Sequence, residues 1–118
     1  MAAQPAPAPR ELTDTYNLIR RAIENRQQVI ATYRGYQREM CPHSLGVNKR
    51  GERQALFYQF AGESGHELGP PGSPDNWRCL RIDELSEVSL RDGGWHTAPN
   101  HTRPQTCVYQ RLDLEVRP

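Results

Sequence analysis

The run Val29-Ile30-Ala31-Thr32-Tyr33-Arg34-Gly35-Tyr36-Gln37-Arg38-Glu39-Met40-Cys41-Pro42 carries the fold. Its first five residues alternate, sending Val29, Ala31 and Tyr33 to one face of a strand and Ile30 and Thr32 to the other. Arg34-Gly35 supplies a turn, and a second strand follows over residues 37–42, closing at Pro42. The first strand is read over residues 28–34. Because a helical run ends immediately before it, the chain reads as a helix feeding a β-hairpin, the seed of a small barrel.

Upstream, Thr13 or Asp14 can cap a helix that continues to about Arg26. Leu12, Tyr16, Ile19 and Ile23 recur at helical spacing, with Leu18 and Ala22 widening the stripe, while Arg20, Arg21, Glu24 and Arg26 form a wet face. Asn25 suits the left-handed exit into the strand. Before the helix, prolines at 5, 7 and 9 remove donors and disfavour helix, so residues 1–11 read as a disordered Pro/Ala-rich tail.

Downstream, Asn48-Lys49-Arg50-Gly51 suits a turn. The strand over 54–61 places Leu56, Tyr58 and Phe60 on one face and Ala55, Phe57 and Gln59 on the other. Residues 62–76 hold four glycines and three prolines and read as a long loop, mobile or functional. Strand character resumes over 77–82 and 86–90, with a short turn at Asp83-Glu84-Leu85 and another turn signal at Asp92-Gly93-Gly94. A last strand over 106–116 has the cleanest alternation, Val108, Gln110, Leu112, Leu114 and Val116 against Tyr109, Arg111, Asp113, Glu115 and Arg117. The expected class is mainly β with one N-terminal helix, a small Sm-like or SH3-like antiparallel β-barrel.

A chain of 118 residues accommodates one domain with one modest core, read here as 12–118 after the tail. Its hydrophobic fraction of 36% and charged fraction of 25% are those of a globular protein, and no apolar run is long enough to cross a bilayer. The start has neither a basic region nor an apolar core of a secretory signal, and three cysteines is an odd number, so a cytoplasmic location is expected. The net charge of +1 hides an asymmetry: residues 16–60 carry Arg20, Arg21, Arg26, Arg34, Arg38, Lys49, Arg50 and Arg53 against only Glu24, Glu39 and Glu52. Lys49 is the only lysine, and guanidinium groups suit fixed contacts to phosphate or carboxylate; a coding bias towards arginine accounts for the same composition.

The order of these motifs resembles the WYL-domain family of bacterial proteins. The matching stretches are Ile19-Arg20-Arg21-Ala22-Ile23-Glu24-Asn25-Arg26, Val29 to Tyr33, Arg38 to Pro42, Leu56-Phe57-Tyr58-Gln59, and Trp77-Arg78-Cys79-Leu80-Arg81-Ile82-Asp83, together spanning residues 16–91. The chain looks closest to stand-alone members, with a Pro-His-x-Leu-Gly segment at 42–46 and Tyr58-Gln59 followed by Gly62 and Ser64. Two departures stand out. The naming triplet Trp-Tyr-Leu is Phe57-Tyr58-Gln59 here, and Glu84 stands where the family often has a basic residue. The resemblance implies a non-enzymatic ligand-binding or regulatory module in transcription regulation, sensing nucleic acid or a nucleotide-like anion. No DNA-binding domain fits in the chain, so regulation would require a partner protein.

Tyr33, Arg38, Phe57, Tyr58, Gln59 and Arg81 are the candidate ligand-binding residues. An aromatic ring beside guanidinium groups can stack a base while the arginines hold phosphate, as in single-stranded nucleic acid and nucleotide recognition on small barrels. The plainer reading makes Tyr33 and Tyr58 core residues with hydroxyls at the edge, and pairs Arg81 with Glu84 or Asp83. Cys41, His43, Cys79, His96, His101 and Cys107 lack any metal-binding knuckle spacing, so no metal or cofactor is expected, and thiols of this kind usually serve as small buried apolar groups. Neither Cys41 with His43 nor Cys107 with His101 makes a recognisable nucleophile and base, and Ser64 lacks the nucleophile-elbow spacing, so no enzyme is expected. The other reading is a protein–protein interaction or homodimerisation module of a bacterial regulatory or defence system, pairing through strand edges such as 108–116.

Overall fold

The structure, a computed structural model, describes residues 9–65, 67–98 and 111–116. One helix, α1 (Pro9–Asn25), precedes six strands: β1 (Gln28–Tyr33), β2 (Tyr36–Val47), β3 (Arg53–Gly62), β4 (Trp77–Arg81), β5 (Leu85–Arg91) and β6 (Arg111–Glu115). The protein is therefore mainly antiparallel β with one N-terminal helix. Helix α1 begins at Pro9, inside the stretch 1–11 expected to be a disordered tail, because proline at a first helical position costs no hydrogen bond. Residues 1–8 and residues 106–110 of the expected strand over 106–116 lie outside the described residues.

Helix α1 ends in paired turns, with Gln27 N–H donating to the Ala22 carbonyl at 2.9 Å and Arg26 N–H to the Ile23 carbonyl. The left-handed residue is Arg26, at φ 51°, one position later than the expected Asn25. The β1–β2 hairpin turns on Arg34 and Gly35 at φ 51° and 82°, the paired positive values that match the twist of adjoining strands.

Strand β2 runs past Pro42, five residues further than its expected end. A register shift between Pro42 and Ser44 absorbs the proline, which cannot donate to a ladder. This length lets β2 hold β3 on one side and, on the other, β1 along its first half and β6 along its second.

The sheet order is β4-β3-β2-β1-β5, so consecutive strands β4 and β5 occupy opposite edges. They are joined by the 3-10 turn Ile82–Glu84. A flat sheet would separate those edges by roughly 19 Å, at about 4.8 Å per strand. Three residues at about 3.5 Å each cannot bridge that distance, so the sheet is strongly curled. No ladder joins β4 to β5 among the described residues, and the sheet is not closed into a barrel.

The concave face holds the core. Val29, Ala31 and Tyr33 of β1, Met40 of β2, Ala55 and Phe57 of β3 and Leu80 of β4 pack with Ile19, Ala22 and Ile23 of α1, the helical stripe read from the sequence. The other face of β2 and β3 is buried as well. There Cys41 opposes Tyr58, which opposes Trp77, and residues 94–98 lie across them. Both faces of β3 are therefore covered, which explains why Ala55 to Gln59 are all buried.

No helix among the described residues is long and apolar enough to cross a membrane.

Candidate functional site

Cross-strand register places three polar side chains at one end of the concave face. Ala31 opposes Arg38, Met40 opposes Gln59, and Phe57 opposes Arg78, so Arg38, Gln59 and Arg78 share the face of the apolar core. All three are buried, with Arg38 5%, Arg78 8% and Gln59 0% exposed. Charged groups at such depth ordinarily have a countercharge. Neither guanidinium has a carboxylate partner in the described structure.

Gln59 is the hub of this cluster. Its Oε1 accepts from Arg38 Nη1 at 3.2 Å, and its Nε2 donates to the carbonyls of Ala61 at 3.1 Å and Glu63 at 2.9 Å. The amide thus ties Arg38 to the start of the 62–76 loop. At the loop's other end, Arg78 Nη1 donates to the carbonyls of Asp75 at 2.6 Å and Trp77 at 3.0 Å. Three guanidinium nitrogens of this pair are buried without a hydrogen-bond partner among the described residues: Nε of Arg38, and Nε and Nη2 of Arg78. Burial lowers the pKa of Arg38, and repulsion from Arg78 lowers it further. Arg78 is also lowered, by burial against the opposing attraction of the Asp75 carboxylate.

Two tyrosines flank Arg38. Its Cζ stands 5.3 Å from the ring centre of Tyr33 and 5.6 Å from that of Tyr36, within cation–π range. Tyr33 is buried and its hydroxyl donates to Glu84 at 2.8 Å. Tyr36 is only partly buried and lines an open cavity of about 420 Å³ with Gly62, Glu63, Ser64, Glu67 and Leu68. This cavity adjoins Arg38, since Gly62 opposes Arg38 in the β2–β3 ladder so closely that a Cβ at position 62 would collide with the Gln37 and Arg38 backbone.

The structure therefore brings together Tyr33, Arg38 and Gln59 from the residues singled out in the sequence, and adds Tyr36 and Arg78. Phe57 is fully buried in the core between Pro42 and Arg78. Arg81 lies elsewhere, ion-paired to Asp83 and, at 3.1 Å, to Glu52. The carboxylate beside it raises its pKa. Arg78 was missed although a signal existed. In β4, Arg78 has the parity of Leu80 and Ile82, whereas Arg81 has that of Trp77 and Cys79, so simple alternation puts Arg78 on the apolar face.

Tyr58 belongs to the opposite face. Its hydroxyl donates to the Ser73 carbonyl at 2.9 Å and its ring meets Trp77 edge-on at 5.0 Å. His43, fully buried, sits between Trp77 and Trp95, with ring centres 4.8 and 5.0 Å away. Its Nδ1 lies 2.9 Å from the Cys41 carbonyl and donates there, and its Nε2 lies 2.9 Å from the Thr97 hydroxyl. Phe60 stacks on His96 at 4.0 Å. These contacts fasten residues 94–98 to the sheet.

The cysteines divide in two. Cys41 is buried and free, and burial pushes its thiol pKa up to about 11 even though the His96 N–H points at the sulfur. With His43 bonded to its carbonyl rather than its thiol, Cys41 is not paired with a base. Cys79 is exposed and disulfide-bonded, so the expectation of a small buried thiol holds for Cys41 and fails for Cys79. Cys107 and His101 lie outside the described residues. No cluster of three or more His, Cys, Asp or Glu side chains suited to a metal ion occurs among the described residues.

Comparison with known proteins finds no similarity: no family model, no curated protein and no solved structure matches this chain.

Proposed function

We propose that this protein is a non-enzymatic binding module that recognises the phosphate of a nucleotide-like ligand or nucleic acid through Arg38 and Arg78, with Tyr33 and Tyr36 as its aromatic walls. One observation carries the reading: two guanidinium groups, both more than nine-tenths buried, share one end of the core face, Arg78 repels Arg38, and neither is ion-paired to a carboxylate among the described residues. Removing an ion from water costs several kcal/mol even after relaxation, and the cost falls when a countercharge enters. An anion at the three unpartnered nitrogens would supply that charge through charge-assisted bonds.

The reading of the fold as a WYL-like domain with Sm-like or SH3-like architecture is part of the same proposal. It is supported by the helix-hairpin order at the N-terminus, and by opposite sheet edges joined through a three-residue turn. On this reading the anion signal passes to a bacterial regulator, and the position of Arg78 takes the role that the sequence suggested for Arg81.

The test is fluorescence anisotropy of labelled single-stranded RNA and DNA, together with competition by free nucleotides, across a salt series. Binding should weaken as salt rises, through release of counterions. It should fall at least tenfold in Arg38→Gln/Arg78→Gln and less than twofold in Arg81→Ala. Affinity independent of salt, or equal in the folded double variant, overturns the proposal.

A second reading, an interaction or dimerisation module, is favoured by Leu112, a large apolar side chain of β6 that is 51% exposed. Sedimentation of wild type and Leu112→Asp tests it: a dimer lost in the variant supports the reading, and a monomer in both excludes homodimerisation.

A further inference from the structure

Resting on that anion-binding reading, we infer that the ligand is a small phosphomonoester, of which a nucleoside monophosphate is the model, rather than the phosphodiester backbone of a nucleic acid strand. Charge comes first. Arg38 and Arg78 together carry two positive charges, neither ion-paired to a carboxylate among the described residues, and a phosphomonoester brings about −1.5 to −2 at pH 7. A backbone phosphodiester brings only one negative charge.

Donor geometry points the same way. The buried nitrogens of this pair without partners among the described residues are Nε of Arg38, and Nε and Nη2 of Arg78. A phosphomonoester presents three terminal oxygens to such donors, while a diester has two of its four oxygens tied up in ester links. Depth adds a steric argument. With only 5% and 8% of their surface exposed, these side chains leave little room for a group larger than a single terminal phosphate. A phosphate flanked by sugars on both sides would have to draw both neighbours in with it.

The neighbouring cavity adds a charge argument. The cavity adjoining Arg38 is lined by Glu63 and Glu67 as well as Tyr36, Gly62, Ser64 and Leu68. Two carboxylates there repel the successive phosphates of a strand but not the uncharged remainder of a monophosphate. Tyr36, part of that lining and 5.6 Å from the Arg38 Cζ, offers the remainder an aromatic surface.

The experiment is isothermal titration calorimetry of the full chain at low salt with AMP, 3′,5′-cyclic AMP, adenosine, acetate and an unphosphorylated thymidine decamer. Each probe is run against wild type and Arg78→Gln. The expected result is AMP binding at least tenfold more tightly than every other probe, with the preference lost in the variant. If the cyclic diester or the decamer binds wild type as tightly as AMP and loses affinity in Arg78→Gln, this inference is overturned while the anion-binding reading stands. If no anion binds, or binding is unchanged in the variant, both fall. Should Arg78→Gln not fold, the Nε–H resonances of Arg38 and Arg78 in the wild type decide: they shift with AMP and not with adenosine, and failure to shift overturns the inference.

Discussion

Arg38 lies in the electric field of Arg78, and repulsion between these two buried guanidinium groups adds to burial in holding Arg38 below its ordinary pKa. Strand register creates this arrangement. The register shift between Glu39 and Met40 brings Gln59 opposite Met40, where its amide can reach Arg38, while Arg78 enters from the edge strand opposite Phe57. Like charges on a concave face are an unfavourable arrangement until something negative joins them.

Gln59 offers a way to fill the site from within. A carboxylate at this position would stand at the atom that now accepts from Arg38 and would compete with any incoming anion. Gln59→Glu is therefore expected to weaken anion binding at least tenfold, about 1.4 kcal/mol. Calorimetry against the folded variant checks this; an unchanged affinity would place the ligand elsewhere.

Phe57 gives a contrasting case. It is fully buried between Pro42 and Arg78 in the core, away from solvent. Phe57→Ala is expected to cost about 3–5 kcal/mol of stability, from lost burial and the cavity left behind. Phe57→Leu should cost less and leave anion affinity within a factor of two, as measured by urea unfolding and calorimetry together.

Tyr33 and Glu84 make stability depend on pH. The hydrogen bond from the Tyr33 hydroxyl holds the Glu84 carboxyl below the usual range, helped by Arg34 and Arg81 against the opposing effect of burial. A carboxyl with a depressed folded pKa contributes stability that is fully present above its unfolded pKa, about 4.3, and is lost as pH falls through the lower folded value. Tyr33→Phe is therefore expected to lower stability by about 1 kcal/mol at pH 7. The difference from wild type should shrink at pH 3. Urea denaturation at the two pH values checks the sign.

Gly46 marks where β6 meets β2. A Cβ there would collide with the Arg111 carbonyl and crowd the Leu112 backbone, neither of which can move as a flexible side chain would. Gly46→Ala should displace β6, costing about 1–3 kcal/mol as a backbone clash in a packed position. Hydrogen exchange of residues 111–115 should then speed up selectively, while β1 and β3 remain protected.

These residues also show where sequence reasoning reaches its limit. The faces of β1 and β3 and the stripe of α1 were legible, because a period of two or of 3.6 needs only local information, and Val29, Ala31, Tyr33, Ile19 and Ile23 all reach the core. The extension of β2 past Pro42 was not, because a proline ordinarily ends a strand and only the register shift shows how this one is absorbed. The site was half legible. Tyr33, Arg38 and Gln59 were singled out through the family resemblance, but the contact of Gln59 with Arg38 follows only from β2–β3 register, and Arg78 joins them through β3–β4 pairing. Arg81 was singled out in place of Arg78 although alternation along β4 sets the two on opposite faces, and the structure pairs Arg81 with Asp83 and Glu52.

The most direct test of the arginine pair is thermal unfolding with increasing inorganic phosphate, balanced against chloride at constant ionic strength, for wild type and Arg38→Gln/Arg78→Gln. A ligand that binds only the folded state at 100 times its Kd adds about 2.7 kcal/mol. The wild-type midpoint should therefore rise by several degrees at saturating phosphate while that of the folded double variant stays still. A midpoint that rises equally in both proteins, or in neither, would contradict the assignment of Arg38 and Arg78 as the anion site.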